Sequence, residues 1–493
     1  MTVAALRPTG ALSGRQESWR DIQWPSVYHA VKKLQVRIAK AVREGRHGRV
    51  RALQWLLTHS YHAKLLAVKR VVSNKGKRTP GVDGIIWNTS RKKMQAINTL
   101  RRRGYSALPL RRIYIPKRNG KLRPLGIPTM RDRAMQALYA LALIPIAETT
   151  ADPNSYAFRE FRCCADAIAQ CFISLAKKCS PFWILEADIR SCFDEINHAW
   201  LFRHIPMDKK ILGAWLKAGY LDKGKLYPTV SGTPQGGIIS PTLCNMTLDG
   251  LEAAIRKAVP RRCKVNVIRF ADDFIITGIS FELLRDVVVP AVKAFLQERG
   301  LSLSEEKTRI TRIDKGFDFL GQHLRKYRGK LIIEPSKSAA RAIVAKTKEI
   351  IRTHRGKQTD VMIGKLNPMI RGWANYHRWV CSSAAFAWVD SCIYRQLWRW
   401  ARRRHGDKGK RWTRKRYFRQ TTATLWQFFA TVKGTGGQRK IVDLFRAGSV
   451  KIIRHVKIRG AANPYDPALK GYFRERAARG WARLHPALAG CTI

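Results

Sequence analysis

Val265-Asn-Val-Ile-Arg-Phe270-Ala-Asp272-Asp273-Phe-Ile-Ile-Thr277 sets two adjacent carboxylates between two short apolar runs. Lys264–Phe270 and Phe274–Thr277 read as two strands joined at a tight turn. A solvent-exposed turn takes aspartate readily. A buried one cannot hold two like charges this close without a cation, and hard oxygen ligands suit Mg²⁺. The stretch by itself leaves both readings open. Further out, Phe182-Trp-Ile-Leu-Glu-Ala-Asp188 ends another apolar run in a third carboxylate. Three carboxylates on adjacent strand ends suffice for two Mg²⁺ ions, the pair that activates a 3′-hydroxyl and stabilises a leaving pyrophosphate in nucleotidyl transfer.

Between these runs lies Ser231-Gly-Thr-Pro234-Gln235-Gly236-Gly237-Ile-Ile-Ser-Pro241. Its glycines let backbone approach a ligand, and Gln235 offers an amide. Upstream, Ile115-Pro-Lys117-Arg-Asn119-Gly120-Lys-Leu-Arg123-Pro reads as a hairpin turning at Asn119-Gly120. It presents Lys117 and Arg123, cations suited to a triphosphate. Before this mixed region, Val27–Glu44 and Arg49–Val72 carry the helical repeat of apolar residues. After Pro335 the pattern is helical again, with Leu366, Ile370, Trp373, Tyr376 and Val380 on one face, then Phe386, Val389, Ile393, Leu397 and Trp400 on the next. The class is α+β without a regular βαβ repeat.

The charge balance narrows the partner. Of 493 residues, 94 are Lys or Arg and 34 are Asp or Glu, a formal charge of +60. So basic a chain repels itself unless a polyanion neutralises it, and nucleic acid is the expected one. The longest apolar stretch, Ala134–Ala147, contains Gln136 and falls short of a membrane span of ~20 residues. Met1–Arg20 lacks the apolar centre of a signal peptide. A soluble, cytoplasmic protein without membrane contact is the expectation. None of the ten cysteines forms a Cys-x-x-Cys pair, so no zinc is expected. The strongest basic run, Arg395–Arg419, has 12 Lys or Arg against one acid, Asp407. It puts Arg395, Arg399, Arg402, Arg403, Arg404, Lys410, Arg411, Arg414, Lys415 and Arg416 among Trp398, Trp400, Trp412, Tyr417 and Phe418. Cations interleaved with aromatics suit phosphates and unpaired bases, though a basic run is also an ordinary solvated face. Lys433-Gly-Thr-Gly-Gly437 reads as a flexible joint.

In order along the chain, these segments resemble the reverse transcriptases encoded by group II introns, the maturase-type proteins. Pro80–Gly84 resembles the family's N-terminal extension motif, Lys117–Pro128 its fingers motif and Asp188–Asp194 its first catalytic-aspartate motif. Thr233–Pro241 resembles the Pro-Gln-Gly motif. Phe270–Asp273 resembles Tyr-Ala-Asp-Asp with Phe in place of Tyr, a change that removes a hydroxyl and no metal ligand. Glu306-Lys307-Thr308 and Phe319-Leu320-Gly321 resemble the last two palm motifs. Arg371-Gly-Trp373-Ala-Asn375-Tyr376, within Leu366–Trp379, resembles the thumb or maturase domain.

The resemblance covers about residues 25 to 475. It implies a right-hand polymerase: an N-terminal helical extension (1–75), fingers and palm (76–335), a thumb/maturase domain (336–405) and a basic DNA-binding region with a vestigial tail (406–493). Carried over by position, Asp188, Asp272 and Asp273 would be the catalytic metal ligands for two Mg²⁺ ions. Lys117 and Arg123 would contact the triphosphate, and Gln235 and Lys307 would lie at the nucleotide. Phe193 would close off the sugar's 2′ position. The implied partners are a group II intron RNA, a DNA target and dNTPs. The implied activities are RNA-templated DNA synthesis, assisted splicing and copying of the inserted intron during retrohoming. The alternative is an RNA-binding splicing factor with little polymerase activity.

Many relatives continue past this region into a zinc-supported His-Asn-His endonuclease. Here Asn463-Pro-Tyr465-Asp466-Pro467 resembles the lead-in, and the remaining residues include only Cys491 and His485 as zinc-type ligands. An endonuclease-lacking protein that takes its primer from elsewhere is the expectation.

Overall fold

The computed structural model describes residues 18–478, apart from 117–119, 121, 262, 423 and 434–437. Lys117 therefore lies outside the described residues, as do His485, Cys491 and most of the Lys433–Gly437 segment. The chain opens with three helices, Trp24–Arg43, His47–His59 and Tyr61–Ser73. The expected pattern over Arg49–Val72 divides in two because Ser60 takes an extended conformation between helices. Val31, Ile38, Leu57 and Val68 bury against Met130–Thr150, which has apolar residues on every side and is enclosed by other elements.

Leu110–Pro116 pairs antiparallel with Leu122–Ile127, Pro116 opposite Leu122, which makes the fingers hairpin. The palm is a four-stranded antiparallel sheet. Its order is Asn266–Phe270, Asp273–Gly278, Trp183–Asp188, Arg309–Arg312. Ile184, Ile268 and Ile275 point to one face, towards the helix Cys164–Leu175. Leu185, Val267, Phe274 and Ile276 point to the other and join the large core of the N-terminal helices. Both faces are covered, so the inward positions are largely apolar, with Glu186 and Arg269 as buried charged exceptions that pair with Arg309 and Asp249.

Three helices follow, Lys337–Thr353, Thr359–His377 and Ser383–Arg404. Ile343, Leu366, Ile370, Phe386, Ile393 and Leu397 make their shared core. A three-stranded sheet of Phe418–Thr421, Thr424–Lys433 and Arg439–Asp443 packs onto it. Lys433 pairs with Arg439, and residues 434–437 of the segment expected to be a flexible joint lie outside the described residues.

Beyond Asp443 the chain returns across the molecule. Ile458, Ala462 and Phe473 bury with palm residues Tyr156, Ile168 and Ile275. Among the described residues, no helix is long and apolar enough to cross a membrane.

Candidate active site

The strand register brings the three aspartates together. Asp188 ends its strand directly opposite Asp273. Phe270 also pairs with Asp273, leaving Ala271 and Asp272 as a two-residue loop. Such loops need left-handed backbone, and Ala271 supplies it at φ 59° without being glycine. That conformation costs of order 1–3 kcal/mol. It turns the chain sharply enough to set Asp272 beside the end of the neighbouring strand.

The segment after the helical part of the palm closes the other side. The Asp188 carbonyl accepts from the Ser304 N–H at 2.8 Å, and the Arg190 N–H donates to the Ser302 carbonyl at 2.9 Å. Lys307 is thereby held against Asp188, to whose Oδ2 it donates. One pleat further in, Arg309 makes a two-pronged contact with Glu186 at 2.7 and 2.8 Å, so that carboxylate is already neutralised.

The electrostatics register the crowding. Asp273 is pushed up to about 7, first by desolvation in the cleft, then by its hydrogen bond with Asp188 and the charges of Asp272 and Asp188. Asp273 as a whole residue is nonetheless exposed, while Asp188 beside it is buried. Asp272 is also raised, chiefly by desolvation and then by Asp188, while Lys307 and Arg123 pull it back. Lys307 is raised, mainly by its hydrogen bond to Asp188. Three carboxylates with one lysine between them are two positive charges short of neutrality. One hard divalent cation would supply that charge, and the donor set is all carboxylate oxygen, so these residues fit Mg²⁺.

The Pro-Gln-Gly loop is fastened to both fingers and palm. The Gln235 carbonyl accepts from the Gly126 N–H of the fingers hairpin at 2.8 Å, and the Thr233 N–H donates to the Phe193 carbonyl at 2.6 Å. Gly232 and Gly236 have φ of 81° and 111°. A Cβ at Gly236 would sit 2.7 Å from the Gly126 carbonyl oxygen, and one at Gly232 would sit 2.5 Å from that of Asp194. Glycine is required at both. The Gln235 side chain donates to Asp194 Oδ2 at 2.9 Å. Gln136 of the long buried helix accepts from the Ile238 N–H at 2.8 Å. Asp194 and Gln136 hold this loop, and sequence reasoning gave neither a role. The adjacency of Asp194 to Phe193 was the available signal for one; Gln136 looked only like an interruption of an apolar stretch.

Phe193 is half-buried and packs against the main core. Arg123 is exposed on the hairpin strand, across from Ile115. The basic run divides. Arg395, Arg399, Arg403, Lys410, Arg411, Arg414, Lys415 and Arg416 are exposed. Arg402 is half-buried and bonds the Lys408 carbonyl, and Arg404 bonds the carbonyls of Arg355 and Lys357. These two close helix ends. The interleaved aromatics are mostly not a base-stacking surface. Trp400, Tyr417 and Phe418 are buried in the thumb core, and Trp398 packs edge-on against Trp426. Trp412 is the exposed exception. A helix rich in arginine still needs one apolar stripe, and the aromatics supply it.

Comparison with known proteins places three family models along the chain. The model of reverse transcriptases, RNA-dependent DNA polymerases, matches residues 115–324. The model of their N-terminal domain matches 19–100, and that of the group II intron maturase-specific domain matches 340–418. Protein YkfC of Escherichia coli strain K12 is 32% identical over 309 residues, 54% of this chain and 80% of that one. Group II intron-encoded protein LtrA of Lactococcus lactis subsp. cremoris is 29% identical over 346 residues, 56% of this chain and 57% of its own. A 91 kDa protein in the cob intron of Schizosaccharomyces pombe is 26% identical over 429 residues, 68% of this chain and 52% of its own. The chain thus spans little more than half the length of the last two.

Proposed function

Because this chain belongs to the reverse transcriptases that carry a group II intron maturase domain, we propose that it copies RNA into DNA and holds its own intron RNA so that the RNA splices and is copied after insertion. The observation that carries the polymerase reading is the meeting of Asp188, Asp272 and Asp273 at one sheet end with Lys307 between them. In this reading Asp188, Asp272 and Asp273 would hold two Mg²⁺ ions, which would supply the Lewis-acid chemistry of nucleotidyl transfer at a primer 3′-hydroxyl and a leaving pyrophosphate. Arg123 and Lys117 bind the triphosphate. Phe193 blocks the space a 2′-hydroxyl needs. Gln235, kept in place by Asp194 and Gly126, lines the nucleotide site through its loop. Lys307 neutralises Asp188 between turnovers.

Residues 336–405 serve as thumb, and 406–493 together with the exposed cations of Arg395–Arg416 contact intron RNA and target DNA. The partners are intron RNA, DNA target and dNTPs. The test is a primed RNA template with dNTPs and Mg²⁺, alongside splicing of an RNA precursor carrying the cognate intron. Wild type extends the primer, and Asp272→Asn does not. Extension by the Asn variant at the wild-type rate would overturn the assignment.

A further inference from the structure

A cavity of about 230 Å³ lies apart from the carboxylates. It is bounded by Thr58 and His59, by Lys64 of the next helix, by Leu100–Arg103, and by Met135, Leu138 and Tyr139 of the long buried helix. Its floor and its rim differ in kind. Leu100, Met135, Leu138 and Tyr139 are buried and apolar, and the Tyr139 ring is held edge-on by Trp215 at 5.8 Å. Arg101, Arg103 and His59 stand exposed at the mouth, with Lys64 half-buried between. Arg102 is paired with Asp208. Among the described residues, Lys64, Arg101 and Arg103 have no carboxylate within 4.0 Å. Burial, and then the charge of Arg101, push Lys64 down from the ordinary lysine range.

An apolar slot under a cluster of cations fits a nucleotide: flat base inside, phosphate at the rim. The volume is a little below the roughly 300–1,000 Å³ of ordinary ligand clefts, so it suits one base rather than a larger cofactor. A nucleoside triphosphate would arrive with a divalent cation, and the nearby carboxylate of Asp208 is already taken by Arg102. A single phosphodiester is the better match. We infer that this cavity captures one unpaired nucleotide of the bound RNA, its base against Met135 and Tyr139 and its phosphate among Lys64, Arg101 and Arg103. The inference rests on the reading that the chain binds intron RNA. It adds a recognition pocket on the N-terminal side of the molecule.

The test uses the full chain and intron RNA carrying 4-thiouridine at unpaired positions. After irradiation, adducts are mapped by peptide, and RNA retention and primer extension are measured on the same samples. The expected result is an adduct on the peptides of Leu100–Arg103 or Met135–Tyr139. It should fall tenfold or more in Arg101→Ala/Arg103→Ala, whose exposed side chains leave folding intact, while extension of a short primed template is unchanged. Adenosine monophosphate, titrated against wild type, should compete with that adduct, and inorganic phosphate at equal concentration should compete far less. RNA retained with adducts only elsewhere overturns the pocket and leaves the polymerase reading standing. Equal competition by phosphate overturns the base slot, leaving an anion site. Loss of all RNA binding by wild type overturns the RNA reading itself, and the pocket with it.

Discussion

Asp273 and Asp272 face the same problem from two directions: each is drawn out of water and each sits against the charge of Asp188. Replacing either with Asn removes one charge from the cation site. DNA synthesis should drop by at least roughly 10²–10³-fold, the scale of losing one electrostatic stabiliser in a desolvated site. Assisted splicing should persist near wild-type level, since under the proposed function the splicing chemistry belongs to the RNA. A matched loss of both activities in a folded, RNA-bound variant would break this division. Phe193 makes a different kind of prediction. It is half-buried and its backbone is fixed by Thr233, so Phe193→Val shortens the side chain without moving the strand end. Incorporation of ribonucleotides relative to deoxynucleotides should rise about tenfold or more, within the range of steric discrimination by a pocket wall. Competition between labelled dNTP and rNTP on one template measures it, and an unchanged ratio would place the steric block elsewhere.

The strand–turn–strand element around Ala271 was legible in the sequence because its logic is local: apolar alternation, then two carboxylates where a hairpin must turn. The fingers hairpin was legible for the same reason. The Pro-Gln-Gly loop was only half legible. Its glycines mark close approach, but what they approach, the Gly126 carbonyl and Asp194, lies far away in sequence. The aromatics of Arg395–Arg419 were misleading because their burial depends on Trp426 and Phe428 in a sheet that forms later in the chain. Gly236→Ala tests the loop at this scale. A methyl group would meet the Gly126 oxygen at 2.7 Å on a backbone at φ 111°, and the loop must swing away from the fingers. A displacement near 1 Å can cost about 10²-fold in rate. The loss should appear in kcat/KM for dNTPs, with RNA affinity unchanged. A variant with wild-type steady-state kinetics would show that the fastening to the fingers is dispensable.

At the scale of the whole molecule, a charge of +60 has to be organised so that the folded chain tolerates it and still offers cations to RNA. Arg403, Arg411 and Lys415 are exposed, and among the described residues none has a carboxylate within 4.0 Å. Their joint replacement by Ala should reduce the slope of log K against log salt by about 2–3, at roughly 0.7–0.9 for each phosphate no longer neutralised. Filter binding across a salt series reads this directly, and an unaltered slope would exclude that face. Some of the acids tie the architecture together, as the return of the chain after Asp443 shows. This strap touches the Thr359–His377 helix region, the palm and the first N-terminal helix in turn. Arg378 donates to the Lys451 carbonyl at 3.2 Å, Arg162 to the Gly460 carbonyl at 2.8 Å, and Arg43 to Asp466 at 2.6 Å. Its anchor is Asp166, fully buried in the palm helix. It accepts from Arg476 at 2.8 and 3.0 Å and from the Ile458 N–H at 2.8 Å, and lies 2.9 Å from His455 Nε2. Although these groups include Cys163 beside His455 in a cluster of metal-ligand type, the guanidinium of Arg476 already occupies the carboxylate. Burial alone would raise Asp166; the hydrogen bond and charge of His455, then Arg476 and the Ile458 N–H, outweigh it and hold the carboxyl below its usual range. A depressed carboxylate contributes stability above its unfolded pKa and loses it as pH falls through the folded value, so the strap should loosen below about pH 4. Asp166→Asn removes that dependence and leaves the Arg476 cation buried, at a cost of about 3–5 kcal/mol for a broken buried pair. Hydrogen exchange over residues 455–476 should then be fast at pH 7 in the variant and slow in wild type, with the amides of Trp183–Asp188 protected in both. Equal protection of the strap in the two proteins would show that packing of Ile458 and Phe473 holds it without the ion pair.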